Sequence, residues 1–77
     1  MTRLTFNVVR RPGGWAVERD ARVLCCHRTQ EQAIAEARQL GRERWTEEGF
    51  LSQVLVESAT GAVRTEATFG HDLNSAA

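Results

Sequence analysis

Three consecutive residues, Cys25, Cys26 and His27, carry the side chains best suited to hold a soft metal or attack an electrophile. Thiolate and imidazole are zinc ligands, and a thiol beside a base is a nucleophile. Spacing limits both chemistries. Successive side chains of an extended strand point to opposite faces, so Cys25 and His27 share one face and Cys26 takes the other. One ion would meet at most two of these ligands, whereas a structural zinc site uses four, commonly with C-x2–4-C spacing. His71 or Asp72 would have to complete the set from the C-terminal tail. The same alternation turns a cysteine nucleophile away from the adjacent histidine, and no oxyanion hole or third member is legible. Adjacent cysteines are also poorly placed for a mutual disulfide. The segment therefore reads as small apolar residues and a strand-end histidine, with no metal, cofactor or catalytic residue expected.

A second group is basic. Residues 1–30 carry six arginines against Glu18 and Asp20, and residues 31–77 carry four arginines against eight acids, although the whole chain has zero formal charge and no lysine. Arginine forks bind phosphate bidentately. Arg3, Arg10, Arg11, Arg22 and Arg28 are thus the candidate nucleic-acid-binding residues. The opposing signals are the two acids on the same hairpin and an overall pI near 6.7, well short of the strongly basic balance of nucleic-acid-binding domains. Pro12-Gly13-Gly14 precedes an alternating segment rather than a helix, so it lacks the helix N-terminus of a phosphate loop. Trp15 and Trp45 sit in periodic apolar patterns and read as core residues rather than base-stacking platforms.

Those side chains need elements to hold them. Leu4, Phe6 and Val8 alternate with polar residues in a first strand; Arg11-Pro12-Gly13-Gly14 turns the chain. Trp15, Val17 and Arg19 mark a second strand, joined to the first by about five loop residues with a bulge at the glycines. Asp20-Ala21 is a tight turn into a third strand, Arg22 to His27. Thr29 followed by Gln32 matches a capping box and opens a helix over 30–48, with Gly49 as its C-terminal cap. Ala33, Ile34, Ala37, Leu40, Gly41 and Trp45 form its apolar stripe, and Gly41 on that stripe implies close approach to the sheet. Beyond Phe50 the period returns to two: Val54 and Val56, a turn at Ser58-Ala59-Thr60-Gly61, then Val63 to Phe69.

The order β-β-β-α-β-β predicts an α+β fold, a small antiparallel sheet with one helix packed on one face. The chain is long enough for one small domain, read as residues 1–70 with a flexible tail over 71–77. It has no apolar run of membrane-spanning length, no apolar leader region and too few cysteines for a disulfide scaffold; a cytoplasmic setting with reduced thiols is the expectation.

Asn7-Val8-Val9-Arg10-Arg11-Pro12-Gly13-Gly14-Trp15-Ala16-Val17-Glu18-Arg19, followed by Thr29-Gln30-Glu31-Gln32-Ala33-Ile34-Ala35-Glu36-Ala37, resembles a family of small bacterial proteins known only as a domain of unknown function. Its members read HVVP…GGWAVKREG…T..EAI..A..LA, then a hairpin with a GRDGRI-like turn. The resemblance covers roughly residues 6–64, GGWAV being its most specific part. It departs after Trp45, where the helix is longer and Ser58–Val63 replaces the acidic-glycine turn. It implies a fold and a bacterial source, and no activity. A weaker, fold-level likeness is to the arm-binding domains of phage-type integrases, which bind DNA through an uncovered sheet face; it rests on a W-x-V hairpin strand and a T-x-x-x-A helix start.

A chain this small does not enclose a substrate pocket of ordinary size, so no enzyme activity and no small-molecule substrate are expected. One helix covers one sheet face only. The expectation is therefore a non-enzymatic interaction module that uses the open face or an edge strand, with a protein partner or a second copy of itself. Leu24, Cys26 and the off-core residues of the first and last strands would supply the apolar patch. The alternative is nucleic-acid binding by the arginine-rich strands.

Overall fold

Two short turns fold the first third of the chain into a meander. In the first, Pro12 has its φ preset and Gly13 takes φ 87°, the combination a type II turn requires. Arg11 pairs directly with Gly14, so the connection between β1 (Arg3–Arg11) and β2 (Gly14–Arg19) has two residues rather than the five expected. In the second, Asp20 and Ala21 both take positive φ, 53° and 64°, and Arg19 pairs with Arg22 to start β3 (Arg22–His27). Two left-handed residues make a type I′ turn, whose twist suits a hairpin. The bulge expected at the glycines lies instead between β2 and β3, where the register shifts between Val17 and Glu18. Gly14 serves a different end: a Cβ there would lie 2.3 Å from the His27 carbonyl oxygen, so only glycine lets β3 pass so close.

The computed structural model describes residues 3–58 and 60–70. The tail expected over 71–77, with His71 and Asp72, lies outside them, as does Ala59 in the last turn.

The helix, α1 (Gln30–Glu48), begins and ends where the capping residues place it. The Thr29 hydroxyl accepts from the Gln32 N–H at 3.1 Å. At the other end Gly49, at φ 74°, lets its own N–H and that of Phe50 donate to the Trp45 and Arg44 carbonyls. The stripe's innermost residues are small: Ala33, Ala37 and Gly41 are buried, spaced four apart. Ile34 and Leu40 pack at its margins, and Trp45 is half-buried. With so little side chain between them, helix and sheet come close, and a Cβ on Gly41 would meet the Phe69 ring at 2.9 Å.

From α1 the chain enters β4 (Leu51–Glu57) and turns into β5 (Val63–Phe69). The described strands form one sheet in the order β3-β2-β1-β4-β5. The α+β class and the β-β-β-α-β-β order hold, but the sheet is mixed rather than purely antiparallel, because β1 and β4 run parallel, Phe6 beside Val54 and Val8 beside Val56. The direction of β4 follows from length. Nineteen helical residues span about 28 Å at ~1.5 Å each, enough to return the chain to the end of the sheet where β3 began. A strand starting there runs in the direction of β3, and hence of β1.

The core lies between α1 and one sheet face: Phe6, Val8, Val17, Val54 and Val56 against Ala33 and Ala37, bordered by Leu4, Trp15, Cys25, Ile34, Leu40, Ala67 and Phe69. Among the described residues no helix is long and apolar enough to cross a membrane.

Candidate functional site

Alternation from the core residues assigns the other face. Thr5, Asn7, Val9 and Arg11 of β1, Ala16 and Glu18 of β2, and Gln53, Leu55 and Glu57 of β4 share the side that α1 leaves uncovered. That face mixes polar contacts with apolar side chains. Gln53 donates to the Thr5 hydroxyl at 3.0 Å. Arg11 donates to the Glu18 carboxylate in an ion pair. The hydrogen bond and charge of Glu18 raise the Arg11 guanidinium above its ordinary value, and the charge of Glu57 adds to this. Val9 and Leu55 of the same face are half-buried.

This arrangement divides the five arginines singled out above. Arg10, Arg11 and Arg28 gather at the β1–β2 turn, where they line a shallow groove with Pro12, Gly13, Gly14 and Trp15. Arg3 lies at the far end of β1, eight residues from Arg11, about 26 Å at ~3.3 Å per residue. Arg22 is beside Arg19 at the opposite end of the β2–β3 hairpin from Arg28. Acids accompany both groups: Glu18 engages Arg11, and Asp20 sits 4.0 Å from Arg19. The fold therefore builds no single basic surface from them.

The two sheet edges differ in character. β5 carries Arg64, Thr65, Glu66 and Thr68, with Arg64 ion-paired to Glu66. Charged side chains of this kind discourage a further strand from adding. Its one large exposed apolar residue is Val63, at its start. β3 is the opposite. Val23 and Leu24 are 49% and 40% exposed, Cys26 is exposed, and charge is confined to Arg22 and His27 at its ends. Val23 and Cys26 pair with Glu18 and Ala16 and so face the uncovered side, while the register shift leaves Leu24 without a partner.

The inner side of β3 holds a different group. Cys25 and His27 pair with Val17 and Trp15 and face the helix, as alternation required. Glu36, which lies outside the apolar stripe of α1, meets them there: its Oε1 lies 3.7 Å from His27 Nε2. One donor atom from each of Cys25, His27 and Glu36 lies within 4.8 Å of the others. Burial pushes the Cys25 thiol up, and the charges of Glu36 and Cys26 add to the effect. The sequence did contain a signal for Glu36. Only Arg28 and Thr29 separate β3 from α1, so the first two turns of the helix have to lie over the end of that strand.

A family model described as an uncharacterized protein conserved in bacteria (DUF2188) matches residues 6–69, from β1 through the end of β5. No curated protein and no solved structure matches the chain.

Proposed function

The chain belongs to this DUF2188 family of uncharacterized bacterial proteins, and on that premise we propose that it is a non-enzymatic interaction module that receives an extended protein segment along β3. One observation carries the reading: β3 is a sheet edge whose middle residues, Val23, Leu24 and Cys26, are exposed and uncharged. An edge strand presents a row of main-chain donors and acceptors, and natural proteins usually block such a row with charge or proline. β3 has no such guard at its centre, while β5 does. Strand addition supplies main-chain hydrogen bonds for affinity and side-chain contacts for selectivity. A second copy is the simplest occupant, because a two-fold axis beside β3 pairs both edges at once.

Sedimentation equilibrium over a wide concentration range tests this directly. The wild-type protein is expected to dimerise, and Val23→Lys with Leu24→Lys to remain monomeric with an unchanged far-UV spectrum. A wild-type monomer at every concentration, or a dimer indifferent to both substitutions, would remove the β3 edge from consideration.

A further inference from the structure

The Cys25, His27 and Glu36 cluster is not used by strand addition, which engages the outer edge of β3. It combines three features. Its donors are a thiol sulfur, an imidazole nitrogen and a carboxylate oxygen, all within 4.8 Å of one another. They come from two elements held in fixed relation by the two-residue connection between β3 and α1. And His27 Nε2 is buried with no hydrogen-bond partner. A buried polar atom left unpaired is costly, and such exceptions in a folded protein call for an explanation.

A cation at the centre of the cluster supplies the partner that Nε2 lacks. The mixed sulfur, nitrogen and oxygen set excludes calcium and magnesium, which take oxygen ligands, and suits a borderline ion such as zinc. Tetrahedral zinc bonds at about 2.0–2.3 Å set their donors roughly 3.3–3.8 Å apart. The His27–Glu36 separation of 3.7 Å already falls in that range. The sulfur needs at most a movement of about an ångström, within reach of a side-chain rotation. We infer that Cys25, His27 and Glu36 form a three-ligand binding site for a zinc-class divalent cation, with the fourth position open to water.

On binding, the Cys25 thiol releases its proton to solvent and its sulfur bonds the metal, with no change of oxidation state. Glu36 contributes as the carboxylate, and His27 as the neutral imidazole through Nε2. Cys26, on the opposite face, takes no part. The ion clamps β3 to the second turn of α1, so the cation stabilises the strand whose outer edge is exposed.

The test is a cobalt(II) titration of untagged, reduced protein, with zinc as competitor. The expected result is one equivalent bound, a thiolate-to-cobalt charge-transfer band in the near ultraviolet, tetrahedral visible bands, and displacement by zinc. Cys26→Ser should keep every feature and Cys25→Ser should lose the charge-transfer band. Glu36→Gln changes a half-exposed helix residue and leaves the fold intact by circular dichroism, and it should weaken binding by about tenfold or more, the scale on which even outer-shell losses act. Absence of the charge-transfer band in the wild-type protein overturns the site. So does a band that survives Cys25→Ser and disappears in Cys26→Ser, or an affinity that Glu36→Gln and His27→Gln both leave unchanged.

Discussion

Arg11 and Glu18 are ion-paired diagonally across the β1–β2 hairpin, on the sheet face that the helix leaves uncovered. In register they lie four residues apart along the strands, with Ala16 between them. To reach Glu18 the Arg11 side chain therefore runs along the hairpin past the register position of Ala16, which is fully buried on the face that α1 leaves uncovered. Glu18 is itself nearly buried, so the pair is a built feature of the face. It commits one of the three arginines at the β1–β2 turn to an acid.

That pairing bears on nucleic-acid binding. Five converging arginines would give a log–log salt slope of roughly −4.5 on duplex DNA, at about −0.9 per phosphate neutralised. With Arg3 and Arg22 remote and Arg11 occupied, Arg10 and Arg28 remain, and the expected slope is no steeper than about −2. Fluorescence anisotropy at several salt concentrations measures it. Glu18→Gln, which releases Arg11, should steepen the slope by about one unit. A wild-type slope near −4.5 would mean that the five arginines reach DNA together after all.

The β2–β3 turn holds an alanine where glycine is better suited. Ala21 takes φ 64°, which costs an L-residue roughly 1–2 kcal/mol. Glycine avoids that cost and gives back roughly 0.5–1 kcal/mol in unfolded-state entropy. Ala21→Gly is therefore expected to stabilise the domain by about 0.5–1 kcal/mol, a rise in thermal midpoint of roughly 2–8 °C for a chain of this size. A fall in the midpoint would show that the turn is not under strain.

Gly41 is the reverse case. An alanine there gains about 1 kcal/mol of helix propensity. Its Cβ, however, would sit 2.9 Å from the Phe69 ring, over which the Arg42 guanidinium also lies, 5.9 Å from the centroid. Overpacking of this kind costs about 1–3 kcal/mol, so Gly41→Ala should be net destabilising by about 1 kcal/mol. Denaturant unfolding reads the sign. A stabilised variant would show that the helix can lift from β5 without loss.

The two adjacent cysteines should behave differently toward base and alkylating agents. Burial holds the Cys25 thiol protonated to higher pH than in the unfolded chain. A group whose folded value is raised contributes its stability fully below the unfolded value and loses it as pH rises through the folded one. With chelator present, the thermal midpoint is expected to fall as pH rises through about 8.5, where an ordinary thiol is half ionised. Cys25→Ser should flatten that fall and Cys26→Ser should not. Iodoacetamide followed by tandem mass spectrometry should find Cys26, which is exposed, modified well before Cys25. Equal rates at the two positions would contradict the partial burial of Cys25.

Local chemistry made most of the elements legible in the sequence. Thr29 and Gly49 bracket α1 because each satisfies main-chain groups within one turn of itself, and Asp20-Ala21 reverses the chain within two residues, which pairs Arg19 with Arg22. Alternation likewise put Cys25 and His27 on one face, since the period of a strand is a property of its own backbone. The pairing of β4 with β1 was of another kind. A helix the length of α1 sets the direction of β4, but its place in the sheet depends on which strand suits a position with a neighbour at each edge. Ser52, Val54 and Val56 are covered by α1, whereas the Arg64 and Glu66 of β5 fit an edge; had β5 taken the central place, the sheet would have been antiparallel throughout. Glu36 beside Cys25 and His27, and Arg11 inside the reach of Glu18, were decided at the same level. Each joins residues that no local period relates, and only the packing of one element on another, or the alignment of one strand with its neighbour, brings their charges and donors together.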